Sequence, residues 1–238
     1  MNSNHEISNF LRKEKLVGNP DFHHNVLNFL FNDLNVVGLD ILDVGSGNGK
    51  YSFTMCLKGA QSVTCLEPEI EGSSAGVVNK CIEVANRNSI NNLKILTDTL
   101  EDYSLKCNKK FDVIILINSI NHLDEEHVEK IHCNKNSFMI YLKILKSLKN
   151  IIKKEGTLLL SDCPRDNFFN SLNIENPLFR SIEWQKHQSP KVWKRMLEIS
   201  GFSEVKYDFM MPFPLTSNET MAYLFGSPFK IQCSNKSL

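Results

Sequence analysis

Between Ile41 and Tyr51 a short apolar run ends in an acid and then breaks into three glycines, Asp43-Val44-Gly45-Ser46-Gly47-Asn48-Gly49-Lys50. A strand that stops in such a loop and resumes as a helix leaves bare backbone N–H groups beside a helix N-terminus. Glycine is needed there because the turn takes left-handed angles and a side chain would block close approach of a ligand. This stretch restricts the chain to α/β architectures whose first strand–helix turn either meets a ligand or is a tight structural turn.

The next apolar run, Ser62-Val63-Thr64-Cys65-Leu66, ends in Glu67. About 20 residues past the glycines is where a nucleotide-binding α/β unit places the acid that grips ribose hydroxyls. Each such charge-assisted hydrogen bond is worth about 1.5–3 kcal/mol. Two further strands follow. Leu93-Lys94-Ile95-Leu96 runs into Thr97-Asp98-Thr99-Leu100, and Phe111-Asp112-Val113-Ile114-Ile115-Leu116-Ile117 runs into Asn118-Ser119-Ile120-Asn121-His122. The second is almost wholly apolar, as a parallel strand buried on both faces must be. Thr157 to Ser161 reads as a fifth strand ending in Asp162-Cys163-Pro164, which puts Asp162 and Cys163 at the ligand edge as well.

Helices alternate with these strands. Ile7, Phe10 and Leu11 stand at helical spacing, and Asp21 is a candidate cap for a second helix with Phe22, Val26, Phe29 and Leu30 on one face. His23 and His24 would reach a substrate if this segment is a lid, and surface positions are their default. Val78, Cys81, Ile82 and Ala85 mark a helix against the sheet, and Ser137 to Ile152 a long one, followed by a turn at Lys153-Lys154-Glu155-Gly156. Ser189-Pro190 starts a helix with Trp193, Met196 and Leu197 inward, ended by Gly201. Phe202 to Phe209 and Thr220 to Phe225 read as closing strands joined by an apolar connection at Met210-Met211-Pro212-Phe213-Pro214.

A dinucleotide site wants G-x-G-x-x-G, with a third glycine where this chain has Lys50. The pattern here is G-x-G-x-G with Asp43 two residues before it. It resembles the first motif of the class I S-adenosylmethionine-dependent methyltransferases, and the resemblance spans about residues 36–226. It implies a Rossmann-like three-layer α/β sandwich with a mostly parallel seven-stranded sheet, the last strand antiparallel, preceded by helices in residues 1–35 that cover the site as a lid. The domain proper would run over 36–238, with a substrate-loop insertion at about 163–188. The implied cofactor is S-adenosyl-L-methionine, leaving as S-adenosyl-L-homocysteine. Carried onto this sequence, its binding set is Asp43, Gly45, Ser46, Gly47, Gly49, Tyr51, Glu67, Pro68, Asp98, Thr99, Leu100, Asn118 and Ser119. Asp98 would accept from the adenine amino group, and Asn118 and Ser119 would face the methionine end.

Enzymes of this kind that methylate exocyclic amines of bases carry Asp/Asn-Pro-Pro-aromatic after the fourth strand. This chain has Asn118-Ser119-Ile120-Asn121 instead. Lys plus Arg equals Asp plus Glu, so the net charge is zero, which argues against a nucleic-acid partner. No run of about 18 apolar residues suggests a membrane span. Seven scattered cysteines without a C-x-x-C pair read as reduced thiols of a cytoplasmic protein, and no metal site is expected.

The expected activity is methyl transfer to an oxygen or nitrogen of a small-molecule acceptor. His122 and His187 are the base candidates, since imidazole titrates near neutrality. The irregular stretch 164–188, with Phe168, Phe169, Phe179, Trp184 and His187, is the expected substrate wall. The alternatives are an NAD(P)-dependent oxidoreductase and a non-catalytic cofactor-binding partner subunit. The sequence leaves the oligomeric state open.

Overall fold

The computed structural model describes residues 2–69, 75–177, 180, 182–211 and 218–236. Phe179 and the Pro212-Phe213-Pro214 stretch lie outside them. The chain forms two compact units, Met1–Leu116 with Ile151–Lys153, and Ile117–Asn150 with Lys154–Leu238.

The first unit opens with helices α1 (Asn4–Lys13) and α2 (Pro20–Phe31). Ser3 caps α1 in a reciprocal box with Glu6. Asn19, not Asp21, caps α2: its side chain accepts from the N–H groups of Asp21 and Phe22, and Pro20 takes the first helical position. The buried face of α2 is His23, Leu27, Leu30 and Phe31, one position round from the expected one, and Phe22 is exposed. His23 is therefore a core residue at 5% exposure.

Strand β1 (Asp40–Val44) leads through the glycine loop into α3 (Lys50–Leu57). Then come β2 (Ser62–Leu66), α4 (Val77–Arg87), β3 (Leu93–Leu96), α5 (Leu100–Lys106) and β4 (Phe111–Ile117). Strand β1 pairs in parallel with β2 and β4, and β2 with β3. In α4 the inward residues are Val78, Cys81, Val84 and Ala85, while Ile82 is exposed. Helix α5 had no sequence signal beyond its cap, Thr99, whose side chain accepts from the N–H of Asp102.

The second unit contains a 3-10 turn at Ile120–His122, α6 (Glu125–Val128), α7 (Lys135–Ile151), β5 (Ile152–Asp162), α8 (Phe168–Ser171), another 3-10 turn at Trp184–Lys186, α9 (Pro190–Ile199), β6 (Ser203–Phe209), α10 (Glu219–Phe225) and β7 (Phe229–Ser234). Two expectations fail here. Lys153 to Gly156 is not a turn but the start of β5. Non-local pairing overrides local turn chemistry, as the Glu155 N–H bonds the Asn235 carbonyl and the Asn235 N–H bonds the Gly156 carbonyl. Thr220 to Phe225 is not a strand but helix α10, because Asn218 caps it through the N–H groups of Thr220 and Met221 and Gly226 ends it in a left-handed conformation. The closing strand is β7, with the Ile231, Cys233 and Phe229 side chains buried at period two.

Hydrogen-bonded neighbours across the seven strands run β3-β2-β1-β4-β5-β7-β6. Strand β7 is antiparallel to both β5 and β6. Fully buried Ile41, Leu42, Val63, Ile114 and Ile115 form the first unit's sheet core, and Leu145, Leu148, Leu159, Leu160, Trp193 and Ile231 that of the second. Each such side chain contributes about 1.5–3 kcal/mol by leaving water.

Candidate functional site

In the first unit every turn from a strand's carboxyl end carries a candidate residue. Gly45, Gly47 and Gly49 have φ of +69°, +54° and +77°, in the region only glycine enters without strain. The N–H groups of Gly45 and Ser46 both donate to the Leu66 carbonyl, which locks the loop to the end of β2. Gly49 ends the loop, and a Cβ there would strike the sulfur of Cys81. A Cβ at Gly47 would meet nothing, so Gly47 faces open space.

Glu67 is 4% exposed, and its Oε2 accepts from the Gly47 N–H at 2.5 Å. The acid expected for a ligand is thus also the brace of the loop. Asp43 is 1% exposed and accepts from Ser52 Oγ at 2.6 Å. Burial pushes its carboxyl up to about 7, opposed by the Ser52 hydrogen bond and reinforced by the nearby Glu67 charge. Lys50, in the first turn of α3, lies over the Tyr51 ring at 4.9 Å, and burial lowers its pKa. His23 packs on the same ring at 6.0 Å, and burial first and the Lys50 charge second push it down to about 4. Among the described residues the Nε2 of His23 and the Oγ of Ser46 are buried without a partner. The loop itself is tied to the N-terminal segment, because Asn48 Nδ2 donates to the Leu16 carbonyl at 2.9 Å.

Tyr51 and Leu100 are buried, and Pro68 is half-buried. Asp98 is half-exposed and accepts from Lys106 Nζ at 3.2 Å. It also borders a cleft of about 830 Å³ that extends along β2 and β3 past Thr64, Lys94 and Tyr103. Thr99 spends its side chain on capping α5.

In the second unit Asn118 takes a left-handed φ of +55° and donates its N–H to the Ser161 carbonyl. Ser119 is buried. The following 3-10 turn is held from below by Tyr141, whose hydroxyl reaches the carbonyls of Ile120 at 3.2 Å and Asp124 at 3.0 Å. His122 Nδ1 is 2.6 Å from Glu125 Oε1. Glu125 also pairs with Lys186 Nζ at 2.9 Å, and its carboxyl is held below its ordinary value first by His122 and then by Lys186.

The stretch after β5 is irregular but strongly bonded. Arg165 Nη1 donates to the carbonyls of Glu129 and Gln185, Asn167 caps α8, and buried Gln188 donates to the Val128 carbonyl at 2.6 Å. Trp184 is buried, while Phe168 is exposed. This stretch returns His187 to the end of β5, where its Nδ1 lies 2.8 Å from Asp162 Oδ1. Cys163 is buried, which pushes its thiol up, as expected of a packing residue.

Sequence reasoning named both histidines but not what holds them. Neither Glu125 nor Lys186 stands in a pattern that announces a pairing with His122. Asp162 and His187 stand 25 residues apart with no motif between them. His23 was assigned by default to the surface.

The loop fits a nucleoside with a polar tail: it offers a side-chain-free approach at Gly47, a strand-end acid at Glu67 and unpartnered buried groups at Ser46 and His23. A model of the methyltransferase domain matches residues 17–207, most of the chain. No curated protein matches by sequence. Among solved structures, a methyltransferase dependent on S-adenosylmethionine from Archaeoglobus fulgidus superposes with a TM-score of 0.62 at 16% identity, covering 94% of this chain and 98% of that one. Another from Aquifex aeolicus gives 0.58 at 17% identity, covering 94% and 97%. A possible histamine N-methyltransferase from Thermotoga maritima gives 0.56 at 15%, covering 97% and 95%. At these identities the likeness is one of fold. The family match spans far more than half of the chain, and the chain belongs to the S-adenosylmethionine-dependent methyltransferases of class I.

Proposed function

We propose that the protein transfers a methyl group from S-adenosylmethionine to an oxygen or nitrogen of a small-molecule acceptor. When bound, the cofactor supplies a methyl already activated by its sulfonium, so the protein's work is alignment, exclusion of water and handling of one proton. Gly45, Ser46, Gly47 and Gly49 take the amino-acid end, with Tyr51 and Asp43 beneath them. Glu67 and Pro68 take the ribose, and Asp98, Thr99 and Leu100 the adenine. Asn118 and Ser119 serve the methionine amino group. Helices α1 and α2 act as the covering segment, which the Asn48–Leu16 hydrogen bond supports.

One observation carries the choice of oxygen or nitrogen. After β4 and after β5 the second unit presents an imidazole whose Nδ1 is held by a carboxylate, His122 by Glu125 and His187 by Asp162. Such pairs suit an acceptor that must lose a proton, and general-base help of this kind supplies about 10²–10⁴-fold. The hydrogen-bonded stretch 163–188 supports a walled pocket for a small acceptor. Free cysteines at all seven positions suit the cytoplasm. The family match removes the oxidoreductase alternative.

The test is transfer of labelled methyl from S-adenosylmethionine to a panel of phenols, alcohols and amines, preceded by calorimetric titration with S-adenosylhomocysteine and NAD. Binding of the homocysteine nucleoside and labelling of a hydroxyl or amine are expected. Binding without transfer to any member of the panel would favour the partner-subunit reading. Labelling confined to carbon atoms of the acceptors would contradict the choice of oxygen or nitrogen.

A further inference from the structure

The two imidazole–carboxylate pairs are not equivalent. The His122 side chain is 36% exposed, its partner Glu125 is shared with Lys186, and its Nε2 faces Asn121 Nδ2 at 3.3 Å. His187 is 12% exposed on a carboxylate that is 0% exposed. Asp162 Oδ1 accepts from His187 and, at 2.8 Å, from the Cys163 N–H. Its Oδ2 is buried and has no partner among the described residues. With Asp162 ionised and accepting, the hydrogen of His187 would sit on Nδ1 and the Nε2 lone pair would be left to take a proton. Among the described residues Nε2 of His187 has no hydrogen-bond partner. Beside it lie the Trp184 ring, with centroids 6.4 Å apart, and the backbone of Lys186, whose ammonium is engaged by Glu125 and Glu183.

We propose that Asp162 is the positioning residue of the transfer: it fixes His187 in the Nδ1–H tautomer and makes Nε2 of His187 the proton acceptor, while His122 is a structural tie between the turn after β4 and Lys186. This rests on the methyltransferase reading above and narrows its acceptors to those with an ionisable hydroxyl or ammonium hydrogen. In the step, a hydroxyl gives its proton to Nε2 as its oxygen lone pair forms the bond to the methyl carbon, and an ammonium gives up its proton to Nε2 first, the freed nitrogen lone pair then forming that bond. The electron pair of the broken carbon–sulfur bond stays on sulfur. The positive charge lost at sulfur reappears on the imidazole, where the half-satisfied Asp162 carboxylate stabilises it until solvent takes the proton. A carboxylate with one oxygen unpaired inside the protein gains most from a neighbouring cation, which is why this pair suits a transient imidazolium better than the solvated, lysine-shared Glu125 does.

The test is long-range ¹H–¹⁵N NMR of the imidazoles in the full chain, wild type and Asp162→Asn, with calorimetric titration of both by S-adenosylhomocysteine. The wild type should show His187 unprotonated at Nε2 at neutral pH. In D162N the tautomer preference is lost. His122 stays unchanged and affinity for S-adenosylhomocysteine is retained. A wild-type His187 protonated at Nε2 overturns the proposal by itself, so the test survives a D162N protein that does not fold. An unchanged Nδ1–H tautomer in folded D162N overturns it too. Failure of the wild type to bind S-adenosylhomocysteine would instead sink the methyltransferase reading, and the base role with it, whatever the tautomer. With an acceptor found in the panel, His187→Gln should lower kcat by about a hundredfold and His122→Gln by less than about threefold. The reverse pattern refutes the assignment.

Discussion

Asp43 offers a stability test that needs no ligand. Its carboxyl, 1% exposed beneath the glycine loop, is pushed by burial from 3.8 to about 7. Between those values the folded state holds a proton that the unfolded chain has released. Stability from this group is therefore fully present below about pH 4 and declines as pH rises towards 7. At about 1.4 kcal/mol per tenfold change this gives about 4 kcal/mol in all, and more than half of it falls between pH 5 and pH 8. Asp43→Asn cannot titrate and keeps a side chain able to accept from Ser52. Urea unfolding of the ligand-free proteins at pH 5 and pH 8 gives four free energies. The wild type should lose roughly 2–3 kcal/mol more than D43N over that interval. Using the difference of differences cancels every other titrating group and any fixed cost of the substitution. Parallel behaviour of the two proteins, within about 0.5 kcal/mol, would show that Asp43 ionises normally and that the burial argument is wrong.

The loop glycines separate packing from ligand approach. Gly49→Ala, with φ +77° and a Cβ on Cys81, should cost roughly 2–4 kcal/mol in urea unfolding and be partly relieved by adding Cys81→Ala. Gly47→Ala, with φ +54° and open space around the new methyl, should cost only about 1–2 kcal/mol yet weaken S-adenosylhomocysteine binding at least tenfold by calorimetry. Tyr141→Phe removes a hydroxyl shared by the carbonyls of Ile120 and Asp124 and should cost about 1–2 kcal/mol. Its ¹⁵N spectrum should show shifts concentrated at residues 120–124.

The first unit was largely readable because its signals are local. Apolar runs, the glycine spacing and the acid after the second run each sit within a few residues of what they specify, and the structure shows β1, the loop, β2 and Glu67 there. The reading failed where the decisive partner is far along the chain. Lys153 to Gly156 carries turn-like residues, yet pairing with the end of β7 makes it strand. Thr220 to Phe225 carries strand-like residues, yet the Asn218 cap and Gly226 stop make it helix. The α2 face was misplaced because His23 was counted as polar, whereas its ring packs on Tyr51. The site followed the same rule. His122 was visible as a residue and His187 as a residue, but the 25-residue separation of Asp162 from His187 carries no periodicity that could announce their pairing.

The position of β7 bears on how the protein is made. Its two neighbours, β5 and β6, both precede it in the chain, and β7 lies between them. During synthesis the ribosome therefore releases β6 before the strand that must join it to β5 exists. Until residues 229–234 emerge, β6 has no antiparallel partner and the β7-facing edge of β5 is unpaired, with Leu158 and Leu160 on that strand. Unpaired apolar strand edges attract other chains. A nascent chain stalled shortly before Phe229 is thus a substrate for chaperones and proteases, although the entire glycine loop and both histidines have already been translated.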